Sequence, residues 1–210
     1  DSCLTVIHAP LTGLYHARVA AIAAATGDFI VFLDDDAVPD AGWLLGILRP
    51  LVREPKVGVS GCVARARWLR PRPEWFPDRF LDEFVPIRES GSRLRCRFPS
   101  YPPGLALAIR RHPCLDLFAH PRRFAVALGR RSTDDTNPIF SGEDTDLCEL
   151  YVRNGFDVIV DDGPGVAHTI HPERLTPEWF MRRFRSEGHS RVRLSRLFAR
   201  PVLSRRNWKL

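Results

Sequence analysis

The sequence predicts an α/β fold with a mostly parallel sheet flanked by helices. Residues 29–33 are a continuous apolar run, which is typical of a strand buried on both faces. Strand-like and helix-like segments alternate as far as residue 63, the pattern of a parallel sheet with crossover helices. The 210 residues are 44% hydrophobic and 27% charged, which is ordinary for a globular protein and excludes a disordered or fibrous chain.

The N-terminal half follows this alternation closely. Gly27 and Pro55 supply the stop signals of its two helices. The predicted elements are a short strand at 4–8, a helix at 13–26, the strand at 29–33, a helix at 41–54 and a second buried strand at 57–63.

The C-terminal half is less regular. Residues 64–103 hold 7 of the 18 prolines and predict a long, ordered excursion over the surface. Thr176 and Pro177 are typical of a helix N-cap and first helical position. The predicted elements are a strand at 104–109, a helix near 122–128, a helix at 142–154, a strand at 157–160, a helix at 176–187 and a basic helix at 190–199.

The positive charge lies in the C-terminal segment. Residues 172–210 hold 11 basic and 3 acidic residues, and residues 1–171 hold 20 and 22, so the formal net charge of +6 belongs to this segment. The positive charge of a nucleic-acid-binding domain would be spread more evenly over the sequence, so no nucleic-acid partner is predicted. The segment, with Leu194, Leu197 and Phe198, is either a solvated helix packed on the domain or a contact with an anionic membrane surface.

The cysteines and the hydropathy bear on localisation. The five cysteines are widely spaced without a C-x-x-C pair, so we expect a reducing compartment and no zinc site. Cys62 and Cys148 lie in apolar contexts and are predicted core residues. No apolar run approaches the ~20 residues of a membrane span, and Asp1-Ser2-Cys3 does not resemble a signal peptide. A cytoplasmic protein is expected.

Three adjacent carboxylates, Asp34, Asp35 and Asp36, directly follow the strand at 29–33. In open α/β sheets, ligands bind at the carboxyl ends of the strands. Adjacent carboxylates repel one another unless a cation lies among them, and their oxygens suit Mg²⁺ or Mn²⁺. The alternative is an acidic turn that leads into the helix at 41–54.

Glu143, Asp144 and Asp146 lie at the start of the helix at 142–154. The helix dipole stabilises acids there by about 0.3–1 kcal/mol each, which is one explanation. The other is a general base that takes a proton from a hydroxyl group.

His168, His171 and Arg174 form a local cationic cluster after the strand at 157–160. Such a cluster suits a diphosphate or a metal. The alternative is an ordinary surface loop.

Together, in this order, the three motifs resemble those of family 2 glycosyltransferases, which have the GT-A (Rossmann-like) fold. Residues 13–36 are similar to the family's G-x-x-x-A-R-N, A-x-G-D and D-x-D motifs, although Val19 stands where the family has asparagine. Residues 142–147, G-E-D-T-D-L, resemble its E-D segment, and residues 168–190 resemble the closing motif of many bacterial members. The resemblance covers residues 8–190.

The resemblance implies a partial GT-A domain at residues 1–175 and a basic helical segment at 176–210. The N-terminal portion of the family's domain, which reads the nucleotide base, has no counterpart here, so an N-terminally truncated domain is expected.

The resemblance also implies a role for each matching residue. Asp36 would bind a divalent metal, Mn²⁺ or Mg²⁺, with help from Asp34. Asp144 would be the general base for the acceptor hydroxyl, with Glu143 beside it. The residues implied on the nucleotide-sugar side are Arg18, Asp34, Asp35 and His168. Those implied on the acceptor side are Trp179 and Arg183.

The implied reaction is inverting transfer of a sugar from a nucleotide-sugar donor to a hydroxyl acceptor. Family members often act on glycan or lipid-linked acceptors of the bacterial cell envelope, at the inner face of the cytoplasmic membrane. The alternative is a non-catalytic fragment or binding module that keeps the fold. Metal-dependent phosphoryl transfer ranks last, because no G-x-x-x-x-G-K-[ST] loop occurs.

Overall fold

The computed structural model describes residues 4–10, 13–76, 93–98, 100–118 and 142–199. In chain order, the elements of this part are α1 (Leu14–Ala24), β1 (Phe29–Leu33), β2 (Ala37–Pro39), α2 (Trp43–Arg53), β3 (Val57–Trp68), β4 (Leu94–Cys96), β5 (Ala106–Arg110), α3 (Arg111–Phe118), α4 (Glu143–Arg153), β6 (Asp157–Ile170), a 3₁₀ turn (Pro172–Arg174) and α5 (Pro177–Phe198).

These strands form one six-stranded sheet in the order β1-β5-β3-β6-β2, with β4 also paired to β6. β3 and β6 are parallel, and the other described pairs are antiparallel. Because β5 lies reversed between β1 and β3, the strands β1, β3 and β6 still run in the same direction. The α/β class is confirmed, with a mixed sheet in place of a mostly parallel one.

Helices cover both faces of the sheet. Ile22 of α1 and Tyr151 of α4 pack with Val158 on one face, and Ile47 of α2 packs with Ile159 on the other. Val158 and Ile159 are neighbours in β6, so the alternation of a strand accounts for the two cores. The predicted core residues Cys62 and Cys148 are both buried.

The strand predicted at residues 4–8 does not form. Leu4 and Val6 are 76% and 87% exposed, and no described strand pairs with this segment. A strand is stabilised by ladder hydrogen bonds to a neighbouring strand, and none of the described strands lies beside this segment. Residues 29–33 do form β1, at the end of the described sheet. Phe32 packs against one core and Phe29 and Val31 against the other, but only Ile30 is fully buried, so the predicted burial on both faces is partial.

Two strands are longer than predicted. β3 and β6 pair again after an irregularity between Cys62 and Ala64, and the pairing continues to Trp68 and Ile170. The first residues of the predicted excursion at 64–103 are therefore strand. The helix predicted near 122–128 lies outside the described residues.

Residues 177–198 form one continuous helix, α5, where two helices were predicted. Gly188 does not end it, because Ser186 and Ser190 on either side are buried against the domain. Leu194 and Phe198 are also buried, so they are unavailable to a membrane surface. No helix in the described ranges has the length and apolar character needed to cross a bilayer.

Candidate active site

Asp34, Asp35 and Asp36 form the tight turn between β1 and β2. The amide of Asp34 donates to Leu105 O at 2.9 Å, and the amide of Ala37 donates to Asp34 O at 3.1 Å. The Asp36 side chain is 15% exposed and that of Asp34 33%, while Asp35 is open to solvent.

Asp36 lies beside His168 and Arg174. Its Oδ2 is 3.0 Å from Arg174 Nη2 and 3.3 Å from His168 Nε2. The sheet register explains this proximity, because Ala37 of β2 pairs with His168 of β6. The amide of Thr169 also donates to Asp36 O at 2.8 Å. The predicted His168–Arg174 cluster therefore faces the last carboxylate of the D-x-D motif.

Arg18 of α1 connects the two acidic motifs. Its Nη1 is 3.2 Å from Glu143 Oε1, and its Nη2 is 3.5 Å from Asp34 Oδ1. Nη2 also donates to Gly104 O at 2.8 Å, and the guanidinium lies over the Phe32 ring at 5.3 Å from its centroid. The Arg18 side chain is only 9% exposed, so this charge is held in place by its partners.

Asp144 is oriented by two backbone amides. Gly104 N donates to its Oδ2 at 2.8 Å, and Thr145 N donates to its Oδ1 at 2.7 Å. A carboxylate oxygen has two lone pairs, so each oxygen can still accept a proton. This arrangement is compatible with a general base.

Sequence reasoning missed Gly104, which precedes β5. A Cβ at this position would lie 2.7 Å from both terminal nitrogens of Arg18 and 3.0 Å from Asp144 Cβ. The available signal was the Pro102-Pro103-Gly104 run before the strand, which indicates a turn but not its contacts.

A buried acidic layer lies behind Asp144. Asp146 is 2% exposed, and burial raises its pKa to about 7, with a further increase from Glu143 and Glu149 that Arg153 opposes. Asp146 Oδ2 has no hydrogen-bond partner within the described ranges. Glu149, in contrast, accepts from Tyr101 Oη at 2.6 Å and from Arg153 Nε at 3.1 Å.

Trp179 and Arg183 lie on α5. The amide of Trp179 donates to Thr176 Oγ1 at 3.2 Å, which confirms Thr176 as the N-cap. Arg183 Nη2 is 3.5 Å from Glu187 Oε2. None of these contacts reaches Asp36 or Asp144, so the acceptor-side role of both residues stays a prediction.

The donor set of the Asp36 cluster fits a divalent cation. Two ligands about 2.1 Å from an octahedral ion, at right angles to each other, lie about 3 Å apart. Asp36 Oδ2 and His168 Nε2 are 3.3 Å apart, and the Arg174 guanidinium lies against both. The described residues contain no group of three or more His, Cys, Asp or Glu placed for a metal, so the protein would supply only part of the ligand shell.

Comparison with known proteins identifies the family of the chain. The model of the family described as glycosyl transferase family 2 matches residues 1–112. The succinoglycan biosynthesis protein ExoM of Rhizobium meliloti is 27% identical over 188 residues, which are 89% of this chain and 55% of that protein. The glucosyl-dolichyl phosphate glucuronosyltransferase of Haloferax volcanii is 22% identical over 180 residues, 85% of this chain and 55% of that protein. The chain thus spans about half the length of the curated relatives it matches.

Solved structures give a more distant likeness. Glucosyl-3-phosphoglycerate synthase from Mycobacterium tuberculosis, in complex with Mn²⁺, uridine-diphosphate and phosphoglyceric acid, is 16% identical with a TM-score of 0.46. The match covers 94% of this chain and 57% of that one. The family match includes more than half of the chain, with Arg18 and the D-x-D motif inside it. The chain belongs to glycosyl transferase family 2.

Proposed function

We propose that the chain carries the catalytic site of an inverting glycosyltransferase, which moves a sugar from a nucleotide-sugar donor to a hydroxyl acceptor. One observation carries the proposal. Arg18 ion-pairs with both Asp34 and Glu143, and Glu143 is 125 residues away from it in the sequence. This buried arginine brings the D-x-D turn and the start of α4 to the same end of the sheet.

The donor side consists of Asp36, His168 and the neighbouring residues of the D-x-D turn. Asp36 Oδ2 and His168 Nε2 would hold Mn²⁺ or Mg²⁺, which when bound offsets the negative charge on the departing nucleoside diphosphate. Asp35 is exposed beside them and is free to contact the donor. Arg18 holds Asp34 in place through its 3.5 Å ion pair, so its role is to position the turn.

The acceptor side is organised around Asp144. Its carboxylate takes the proton of the acceptor hydroxyl while that oxygen bonds to the anomeric carbon of the sugar. The bond from that carbon to the diphosphate breaks on the opposite face, which inverts the configuration. Glu143, fixed 3.2 Å from Arg18, keeps the first turn of α4 aligned with the D-x-D turn.

The acceptor is proposed to be a glycan or a lipid-linked sugar of a bacterial cell envelope. Two relatives support a glycan or lipid-linked acceptor, since one is named for succinoglycan biosynthesis and the other for a dolichyl phosphate substrate. Trp179 and Arg183 are proposed to shape its binding side. The enzyme would then work in the cytoplasm, at the inner face of the membrane.

The exposed basic face of α5 supports peripheral membrane contact. Arg182, Arg185 and Arg196 are exposed, and Met181 near them is 61% exposed. Replacing these three arginines by glutamine should reduce flotation with anionic liposomes. The same change at Arg49, Arg53 and Arg70, which are exposed and lie outside α5, is the matched control and should have no effect. Equal flotation of the two variants would contradict this contact.

Calorimetric titration tests the transferase proposal. Nucleoside diphosphates and nucleotide sugars are titrated into the wild type and Asp36→Asn, with and without Mn²⁺. Metal-dependent binding of one nucleotide that Asp36→Asn abolishes is the expected result. Release of nucleoside diphosphate from the bound donor, with water as acceptor, then measures catalysis. Binding without release, or no binding at all, would favour the non-catalytic fragment or binding module over the transferase.

A further inference from the structure

The guanidinium of Arg174 lies where Asp36 and His168 would bind a cation. Its Nη2 is 3.0 Å from Asp36 Oδ2, and its Nη1 is 3.3 Å from His168 Nε2. The Asp36 and His168 side chains are 15% and 12% exposed, so the contact is partly shielded from water. One arginine thus contacts both of the atoms that the proposed function assigns to the divalent ion.

The hydrogen-bonding roles of Arg174, Asp36 and His168 are consistent with this position of the guanidinium. Arginine is only a donor and an ionised carboxylate is only an acceptor. When His168 Nε2 accepts from Arg174 Nη1, the ring proton lies on Nδ1; in the other tautomer, Nε2 donates to Asp36 Oδ2. The Nε2 lone pair is also the one that a metal would use. With the ring proton on Nδ1, Asp36 and His168 direct their ligating lone pairs at the same positive group.

We propose that Arg174 is a resident cation that occupies the metal position and must leave it before the divalent ion binds. This inference rests on the proposed function of Asp36 and His168. The two cations exclude each other because like charges on one carboxylate oxygen repel at short range. Arg174 ends the 3₁₀ turn before α5 and its side chain is 22% exposed, so it can move outward.

The released guanidinium then faces the anionic part of the donor. Arginine binds phosphate oxygens through two parallel hydrogen bonds, and the diphosphate would lie on the ion that displaced it. Arg174 consequently has opposite effects on the two ligands: it opposes the metal in the absence of a diphosphate and favours the diphosphate once the metal is present. A purely structural ion pair would not produce this reversal.

The first experiment measures Mn²⁺ binding to the nucleotide-free chain by calorimetry. Arg174→Gln removes the competing charge, so it should bind Mn²⁺ about threefold to tenfold more tightly than the wild type. Arg65→Gln is the matched control, because Arg65 pairs with Asp40 at 2.6 Å and lies outside the proposed site. Its affinity for Mn²⁺ should equal that of the wild type.

The second experiment titrates inorganic pyrophosphate, which needs no knowledge of the nucleotide base, at saturating Mn²⁺. Arg174→Gln should bind it about tenfold more weakly than the wild type. Arg174→Lys keeps the charge without the planar fork, so it should retain wild-type Mn²⁺ affinity and lose part of the pyrophosphate affinity. This variant also tests the inference should Arg174→Gln fail to fold.

The outcomes separate this inference from the function it rests on. If Mn²⁺ binds the wild type and Asp36→Asn equally, the metal site is wrong and the role of Arg174 falls with it. If binding depends on Asp36 but Arg174→Gln binds Mn²⁺ no more tightly than the wild type, the metal site stands and the resident cation is overturned. If Arg174→Gln binds Mn²⁺ more tightly but binds pyrophosphate with unchanged affinity, only the proposed contact between Arg174 and the diphosphate is overturned.

Discussion

The backbone amide of Gly104 donates a 2.8 Å hydrogen bond to the carboxylate of Asp144. The carbonyl of the same residue accepts a 2.8 Å hydrogen bond from Arg18. A single peptide segment before β5 thus holds the proposed base on one side and the buried arginine on the other. Both contacts use backbone atoms of Gly104. A side chain at this position would come too close to Arg18 and Asp144, so the segment needs glycine here.

Gly104→Ala should therefore slow catalysis. Its Cβ would lie 2.7 Å from Arg18 nitrogens and 3.0 Å from Asp144 Cβ, which forces both to shift. We expect kcat to fall about tenfold to a hundredfold and stability to fall by about 1–3 kcal/mol. Turnover and urea denaturation measure the two effects. Gly163→Ala is the control, because its Cβ would meet nothing within 4 Å, and wild-type kcat in Gly104→Ala would refute the positioning role.

Asp144→Asn should abolish most of the transfer activity without loss of donor binding. The asparagine oxygen can still accept from one of the two amides, that of Gly104 or of Thr145, but the side chain no longer takes a proton. We expect kcat to fall about 10²- to 10⁴-fold, with the Kd of the nucleoside diphosphate unchanged. Glu178→Gln, on the exposed first turn of α5, should behave as wild type. A tenfold or smaller effect on kcat would point to another base.

Asp146 should make the fold less stable as the pH rises. Its folded pKa is about 7, whereas an unfolded aspartate titrates near pH 4, so the folded state holds more protons between these values. Stability then falls from about pH 4 to about pH 7, by at most about 1.4 kcal/mol per pH unit, and levels off above. The free energy of unfolding, measured by urea denaturation at pH 5 and pH 8, should fall more between these values in the wild type than in Asp146→Asn. Equal losses would mean that Asp146 is ionised in the folded protein.

Gly188→Ala should stabilise the protein. Gly188 lies within α5, and a Cβ there would meet nothing within 4 Å. Alanine loses less backbone entropy in a helix, which is worth about 0.5–1 kcal/mol. Gly155→Ala is a control of opposite sign, because Gly155 also has open space but a φ of +85° that alanine rarely adopts. Thermal denaturation of both variants decides the point, and a lower Tm for Gly188→Ala would argue against it.

Much of the candidate site was predictable because each motif adjoins a strong local signal. The apolar run before Asp34 predicts β1, and the acids of α4 favour a helix start. The meeting of Asp36 with His168 was not predictable in detail, since it depends on β6 continuing past a Gly-Pro-Gly sequence to pair with β2. Hydrophobicity likewise carries no information on strand direction, so the reversed β5 was missed. Backbone hydrogen bonds such as those of Gly104 do not depend on the type of side chain, so they could not be predicted from the amino-acid sequence.

The C-terminal helix has a mechanical consequence. α5 is 22 residues long, about 33 Å, and its last residue accepts a 2.7 Å hydrogen bond from Arg153 at the end of α4. Leu194 also lies where a side chain on Gly142 would project, at the start of α4. The last turn of α5 therefore contacts both ends of α4, the helix that carries Asp144. A membrane that engaged the arginines of α5 would both tether the protein and set the angle at which the proposed catalytic edge faces the lipid.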